Sequence, residues 1–105
     1  STAWQTGATV VLKGAGTVVA DRNGSVRVNL TGNPGMATGG MGDVLAGMLA
    51  ALAAGGAGVF DAACAAAYIH GMAGDRVALR KSQVALSSGD VIEELPAVFK
   101  DVCGK

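Results

Sequence analysis

A single carboxylate stands where a glycine-rich stretch gives way to an apolar run, in Asn33-Pro-Gly-Met-Ala-Thr-Gly-Gly-Met-Gly-Asp43-Val-Leu-Ala-Gly47. The first half of this stretch carries no charge, and the second half, rich in Ala, Leu and Met, reads as a helix. A pliant backbone leading into a helix start presents several N–H groups without intrahelical partners in one direction. With the helix dipole they form an anion site, usually for phosphate. An acid beside such a site repels what the site attracts, so it needs a task. The simplest is that Asp43 takes a proton from a hydroxyl while Gly40, Gly42 and the loop around them stabilise charge on a transferring phosphoryl group. Asp is also favoured at helix N-termini for stability alone. Gly39, Gly40 and Gly42 would weaken a loop that only had to cap a helix, and this puts the catalytic reading first.

Other chemically capable residues are weaker candidates. Lys13, at a strand end before Gly14, can bind phosphate as a point charge, but alone it reads as an exposed lysine at a sheet edge. His70 is the only histidine. It lies in an Ala-rich helix with no Cys or carboxylate at metal-ligand spacing and reads as a packed structural residue. Cys64 reads as a small core residue, and Asp75 with Arg76 as a solvated or locally ion-paired face. Met36, Met41, Met48 and Met72 fill gaps in a core, Met36 and Met41 alternatively packing the loop backbone.

The elements that must position these residues follow in order. Thr9-Val-Val-Leu12 is an apolar strand, Thr17-Val-Val-Ala20 a second, and Ser25-Val-Arg-Val-Asn-Leu30 an alternating strand with one wet face. Asn23-Gly24 marks a hairpin turn between the last two. Helices are expected over Val44–Ala54, ending at Gly55-Gly56, and from Asp61, as cap or opener, to Leu79 or Arg80. A third starts at Ser87 or Ser88, and Pro96 suits the first turn of a short last helix or a break between two. Gly71 and Gly74 belong on a packing face. Strands followed by helices give an α/β class. Three strands leave Thr9–Leu12 without a partner and too apolar for a solvated edge, so the chain reads as the C-terminal half of a larger α/β domain.

At 105 residues the chain is one small domain at most. Zero formal net charge argues against a nucleic-acid or membrane-surface partner selected by charge. Two cysteines make no disulfide framework, no leader is read at the start, and a reducing cytoplasm is the expected location. The uncharged run Val44–Phe60 falls short of the roughly 18 residues of a spanning helix and is rich in Ala and Gly.

Lys13-Gly-Ala-Gly-Thr17, then Gly32 to Gly47, then Ala67-Tyr-Ile-His-Gly-Met-Ala-Gly-Asp75, then Ser88-Gly-Asp-Val-Ile92 occur in that order. Together they resemble the C-terminal part of the ADP- or ATP-dependent NAD(P)H-hydrate dehydratases of the ribokinase-like superfamily. The resemblance covers nearly the whole chain, and the string from Asn33 to Asp43 is its most specific part. It implies a three-layer α/β/α fold, of which residues 1–105 are the C-terminal portion of a single domain. It also implies repair of damaged cofactor, in which the S form of hydrated NADH or NADPH is dehydrated with a nucleotide as phosphoryl donor. By the same resemblance Lys13, Gly14, Ala15, Gly16 and Thr17 lie against the nucleotide. Asn33, Pro34, Gly35, Met36, Ala37, Thr38, Gly39, Gly40, Met41 and Gly42 wrap its phosphates, and Asp43 meets the hydrate's hydroxyl. Hydroxide leaves poorly and phosphate well, so deprotonation by Asp43, phosphoryl transfer and expulsion of phosphate restore the ring's double bond. Mg²⁺ would bridge the nucleotide oxygens, with no metal site built from the chain alone.

Family domains are longer and carry earlier α/β units ahead of these motifs. Two alternatives share the residues: a kinase for a small alcohol, which uses the same glycine and Asp chemistry, and a non-catalytic fragment that needs a partner chain. In either case the exposed strand and the helices, apolar around most of their circumference, predict a homo-oligomer or packing against the missing N-terminal part.

Overall fold

The structure, a computed structural model, describes residues 2–6, 9–13, 17–21, 24–36, 40–56 and 58–103. Strands β1 (Thr2–Thr6), β2 (Thr9–Lys13), β3 (Thr17–Ala20) and β4 (Val26–Asn29) precede helices α1 (Met41–Ala54), α2 (Val59–Arg80) and α3 (Ser88–Cys103), with a short 3₁₀ turn at Pro34–Met36. The strands form one antiparallel meander in the order β1-β2-β3-β4. β1 was not foreseen. It pairs with β2 from Thr2↔Lys13 to Thr6↔Thr9, so the apolar run Thr9–Leu12 is an interior strand and not an edge. The β3–β4 hairpin lies where the Asn-Gly pair predicts it: Gly24 has φ +88°, and the Asp21 amide donates to the Ser25 carbonyl at 3.0 Å.

Val11 and Val19 face each other across β2 and β3 and are almost fully buried, so this sheet face meets the helices. α2 lies across β2, β3 and β4, with α1 and α3 packed against it. α1 buries Met41, Leu45, Met48 and Leu49, a single helical stripe. α2 contacts the sheet and both other helices and buries ten residues, mostly Ala and Gly. Small side chains let these backbones approach closely. Sheet and helices thus form two layers, 19 Å across the shortest axis, consistent with part of an α/β/α arrangement.

β4 alternates with the expected period, but exposed residues lie on both of its sides. Asn29 points toward α2, its Nδ2 donating to the Ala67 carbonyl at 3.0 Å. By the period-two geometry of a strand Arg27 shares that side, while Val26 and Val28 lie on the other, 61% and 56% exposed. Leu30 is 85% exposed just beyond.

Helix boundaries differ at two starts. α1 begins three residues before Val44, at Met41, so Asp43 lies inside the first turn. α2 is capped by extended Gly58, and Asp61 also lies in its first turn without acting as cap. α3 runs through Pro96 to Cys103, unbroken. Pro96 is on the exposed side, so the Ile92 carbonyl it leaves unbonded is on the solvent face. The start of α3 is a reciprocal cap: the Asp90 amide donates to Ser87 Oγ, and the Ser87 amide donates to Asp90 Oδ2.

Candidate functional site

Gly40 caps α1 in the left-handed region, φ 88° and ψ −15°, with no side-chain cap. The first intrahelical bond runs from the Val44 amide to the Gly40 carbonyl at 3.1 Å. The amides of Met41, Gly42 and Asp43 therefore have no carbonyl within the helix and point along its positive end. Asp43 is exposed beside them, while the Met41 side chain is in the core, so only its backbone is on offer to a ligand. A Cβ on Gly40 would lie 2.7 Å from Ser88 Oγ, which ties the start of α1 to the start of α3. Glycine here satisfies both a positive φ and a close approach.

The loop that feeds this helix start is pinned to α2. Gly32 N–H and Asn33 Nδ2 donate to the two carboxylate oxygens of Asp75, each at 2.9 Å. Asn33 Oδ1 accepts the Gly35 amide at 3.0 Å, and the Asn33 carbonyl accepts the Met36 amide at 3.0 Å. Thr31 Oγ1 is 3.0 Å from Asn29 Oδ1 and 3.1 Å from the Tyr68 carbonyl, within donating distance of either. Gly71 and Gly74 do lie on a packing face, and their partners are loop residues: a Cβ on Gly71 would overlap Thr31, and one on Gly74 would overlap Met36. The amides of Gly35 and Met36 are therefore engaged within the protein, Pro34 has none, and Gly40–Asp43 is the described part of the stretch that offers free backbone donors by its helical geometry. Ala37, Thr38 and Gly39 lie outside the described residues.

Lys13 ends β2 and Thr17 starts β3, opposite Asn29. The Lys13–Thr17 connection and the loop after β4 thus leave the sheet at the same end. Gly14, Ala15 and Gly16 lie outside the described residues. A cleft of about 660 Å³ opens between β4 and α2, where Arg27, Asn29, Thr31, Asp61, Tyr68 and Asp75 contribute polar groups. It shares Thr31 and Asp75 with the pinned loop, but neither Asp43 nor Gly40 lines it.

Asp75 is the residue that sequence reasoning misassigned. Its neighbour Arg76 does join an ion-paired face, 2.8 Å from Asp101 and 3.9 Å from Glu94. Asp75 instead turns to the loop. The available signal was its place directly after Gly74, on a face whose glycines must receive something. His70 is buried in α2. Among the described residues no three His, Cys, Asp or Glu side chains are grouped to hold a metal ion. Cys64 is half-buried against the core, and burial raises its thiol pKa. Among the described residues no helix is long and apolar enough to cross a membrane.

Residues 1–97 match the family model described as NAD(P)H-hydrate dehydratase. Over 99 residues the chain is 48% identical to a bifunctional NAD(P)H-hydrate repair enzyme of Moorella thermoacetica, covering 94% of this chain and 18% of that protein. It is 46% identical to an ADP-dependent (S)-NAD(P)H-hydrate dehydratase of Neisseria meningitidis over 89 residues, covering 85% of this chain and 29% of the relative. A Bacillus subtilis ADP/ATP-dependent NAD(P)H-hydrate dehydratase, co-crystallised with ATP and Mg²⁺, superposes with a TM-score of 0.81 at 33% identity. That superposition covers 89% of this chain and 34% of the solved one. The chain therefore spans about a third or less of the length of each of these proteins.

Proposed function

The chain belongs to the NAD(P)H-hydrate dehydratase family, and from that premise we propose that it carries the phosphoryl-transfer end of an enzyme that dehydrates the S form of hydrated NAD(P)H. It does so as the C-terminal portion of a longer cytoplasmic dehydratase domain. The observation that carries the reading is the start of α1, where left-handed Gly40 opens a 14-residue helix and Asp43 is exposed in its first turn. A nucleotide's phosphate fits the amides of Met41, Gly42 and Asp43 by charge and direction. Asp43, beside it, is placed to accept the proton of the hydrate's hydroxyl. The oxygen then takes the phosphoryl group from the nucleotide, and elimination of inorganic phosphate together with a proton from the neighbouring ring carbon restores the ring's double bond. Mg²⁺ would accompany the ADP or ATP phosphates and neutralise their charge. Lys13 and Thr17, at the sheet end from which the pinned loop departs, are assigned to the same nucleotide. Family membership favours this reading over a small-alcohol kinase.

The open apolar face of β4, Val26 and Val28 with Leu30 beyond, supports a further part of the reading. It is covered in the working enzyme by the rest of the domain or by a second copy.

The test is the return of absorbance in the reduced-nicotinamide band when the protein is mixed with hydrated NADH, Mg²⁺ and ADP or ATP. Asp43→Asn should lower the rate by about 10²–10⁴ while nucleotide affinity stays near wild type. An Asp43→Asn protein that keeps most of its activity would reduce Asp43 to a helix-stabilising residue.

A further inference from the structure

We infer that Asp75 is the positioning residue of the phosphate loop, fixing the Thr31–Met36 segment on α2 so that the Gly40–Asp43 amides are held in place for their anion. The inference rests on the proposed function for what the amides bind, but not for the clamp itself.

The clamp is built from one stripe of α2. Ala67, Tyr68, Gly71, Gly74 and Asp75 recur at helical spacing, and each meets the chain that leaves β4. Ala67 and Tyr68 supply carbonyls to Asn29 and Thr31, and Gly71 and Gly74 supply the gaps for Thr31 and Met36. Asp75 supplies the only side-chain group of the stripe that takes loop donors among the described residues, and it takes two, one backbone and one side chain. The Asn33 amide it orients then holds Gly35 with its other end. Gly35 in turn abuts the Gln83 backbone so closely that no Cβ fits. The segment is thus fixed from both sides, and α1 begins five positions beyond Met36. A carboxylate suits the task because it accepts at both oxygens in its ionised form. Its charge is directed at the loop's donors, leaving the helix start to attract the phosphate.

The hydrogen-bond polarity gives a rescue test. In Asp75→Asn one acceptor becomes a donor, so either Gly32 N–H or Asn33 Nδ2 faces another donor. In Asn33→Asp two carboxylates face each other. The double variant N33D/D75N restores a donor–acceptor pair with reversed polarity, and leaves Gly32 and Gly35 each an acceptor. Arg76→Gln, which removes the neighbouring ion pairs with Glu94 and Asp101, is the control for general weakening of α2.

Amide hydrogen exchange read by NMR, with no ligand present, should quicken at Gly32 and Gly35 and also at Gly40–Gly42 in each single variant. It should return toward wild type in the double variant and stay unchanged at these glycines in Arg76→Gln. Calorimetry with ADP and Mg²⁺ should show affinity about 10- to 100-fold weaker in Asp75→Asn, with recovery in the double variant. Exchange changes confined to Gly32, no recovery in the double variant, or the same pattern in Arg76→Gln would overturn the inference. A wild type that binds no ADP would overturn the proposed function, and the exchange data would still decide the clamp.

Discussion

Three helical glycines can be compared by one substitution, because their surroundings differ while the added methyl is the same. At Gly47, in the middle of α1, a Cβ meets nothing within 4 Å. Gly47→Ala therefore adds helix propensity only, about 1 kcal/mol of stabilisation. At Gly74 the new Cβ would strike Met36, chiefly its flexible end. An unbranched thioether can swing aside, so overpacking there is mostly offset by the propensity gain. At Gly71 the Cβ would overlap Thr31 Oγ1 and come within 2.7 Å of the Thr31 carbonyl carbon and 2.8 Å of its Cβ. Thr31 is stiff and its backbone belongs to the pinned segment, so the segment itself must move. Overpacking of about 1–3 kcal/mol and a lost Thr31 hydrogen bond of about 1 kcal/mol outweigh the gain of about 1 kcal/mol. The expected net is about 1–3 kcal/mol of destabilisation. At roughly 4–8 °C per kcal/mol for a domain of this size, Gly47→Ala and Gly71→Ala should melt at least about 8 °C apart, with Gly74→Ala between them. Thermal unfolding followed by circular dichroism measures the order. A Gly71→Ala protein melting at or above wild type would refute the close seating of the loop on α2.

Gly40→Val should weaken ADP or ATP binding measured by calorimetry, since a branched side chain at φ 88° is strained and also meets Ser88; unchanged affinity would contradict a phosphate cradle there. Asp90 has its pKa lowered by the hydrogen bond from Lys81 first and by Ser87 next. A depressed pKa contributes stability above the unfolded value, near pH 4, that is lost as pH falls through the folded one. The wild-type melting temperature should therefore drop more steeply on acidification below about pH 4 than that of Asp90→Asn, and parallel curves would exclude the contribution. The 105-residue chain should self-associate at micromolar concentration in sedimentation analysis through its uncovered β4 face, Val26→Lys with Val28→Lys should suppress it, and a monodisperse wild-type monomer would contradict it.

Periodicity and turn chemistry made most of the fold legible. β3 begins and ends where the β-branched run does, and α1 ends at Gly55-Gly56 as the glycines require. β1 was missed because Thr2–Thr6 carries no alternation that separates it from a loop, and only pairing with β2 gives it a structure. In β4 the alternation has the expected period, but exposure does not follow it: Val26, Arg27 and Val28 are all exposed, and Asn29 turns inward because it bridges to the Ala67 carbonyl. Pro96 suits the first turn of a short last helix or a break between two by sequence, but it lies inside α3, the lost hydrogen bond is on the exposed side, and Val91, Leu95, Val98 and Phe99 pack α3 through it.

The candidate site divides in the same way. Gly40, Gly42 and Asp43 could be found from sequence because a glycine loop, a helix start and an acid are adjacent along the chain, so their chemistry is local. Asp75 could not, because its partners Gly32 and Asn33 are more than 40 positions away. What decided its direction was packing: Gly71 and Gly74 open a lane on α2 that the Thr31–Met36 segment fills. Once that lane is occupied, a carboxylate one residue beyond Gly74 meets the Gly32 amide before it meets solvent. The glycines on α2 and the glycines before α1 then have different duties. The first set gives the loop a seat, and the second gives a phosphate its approach.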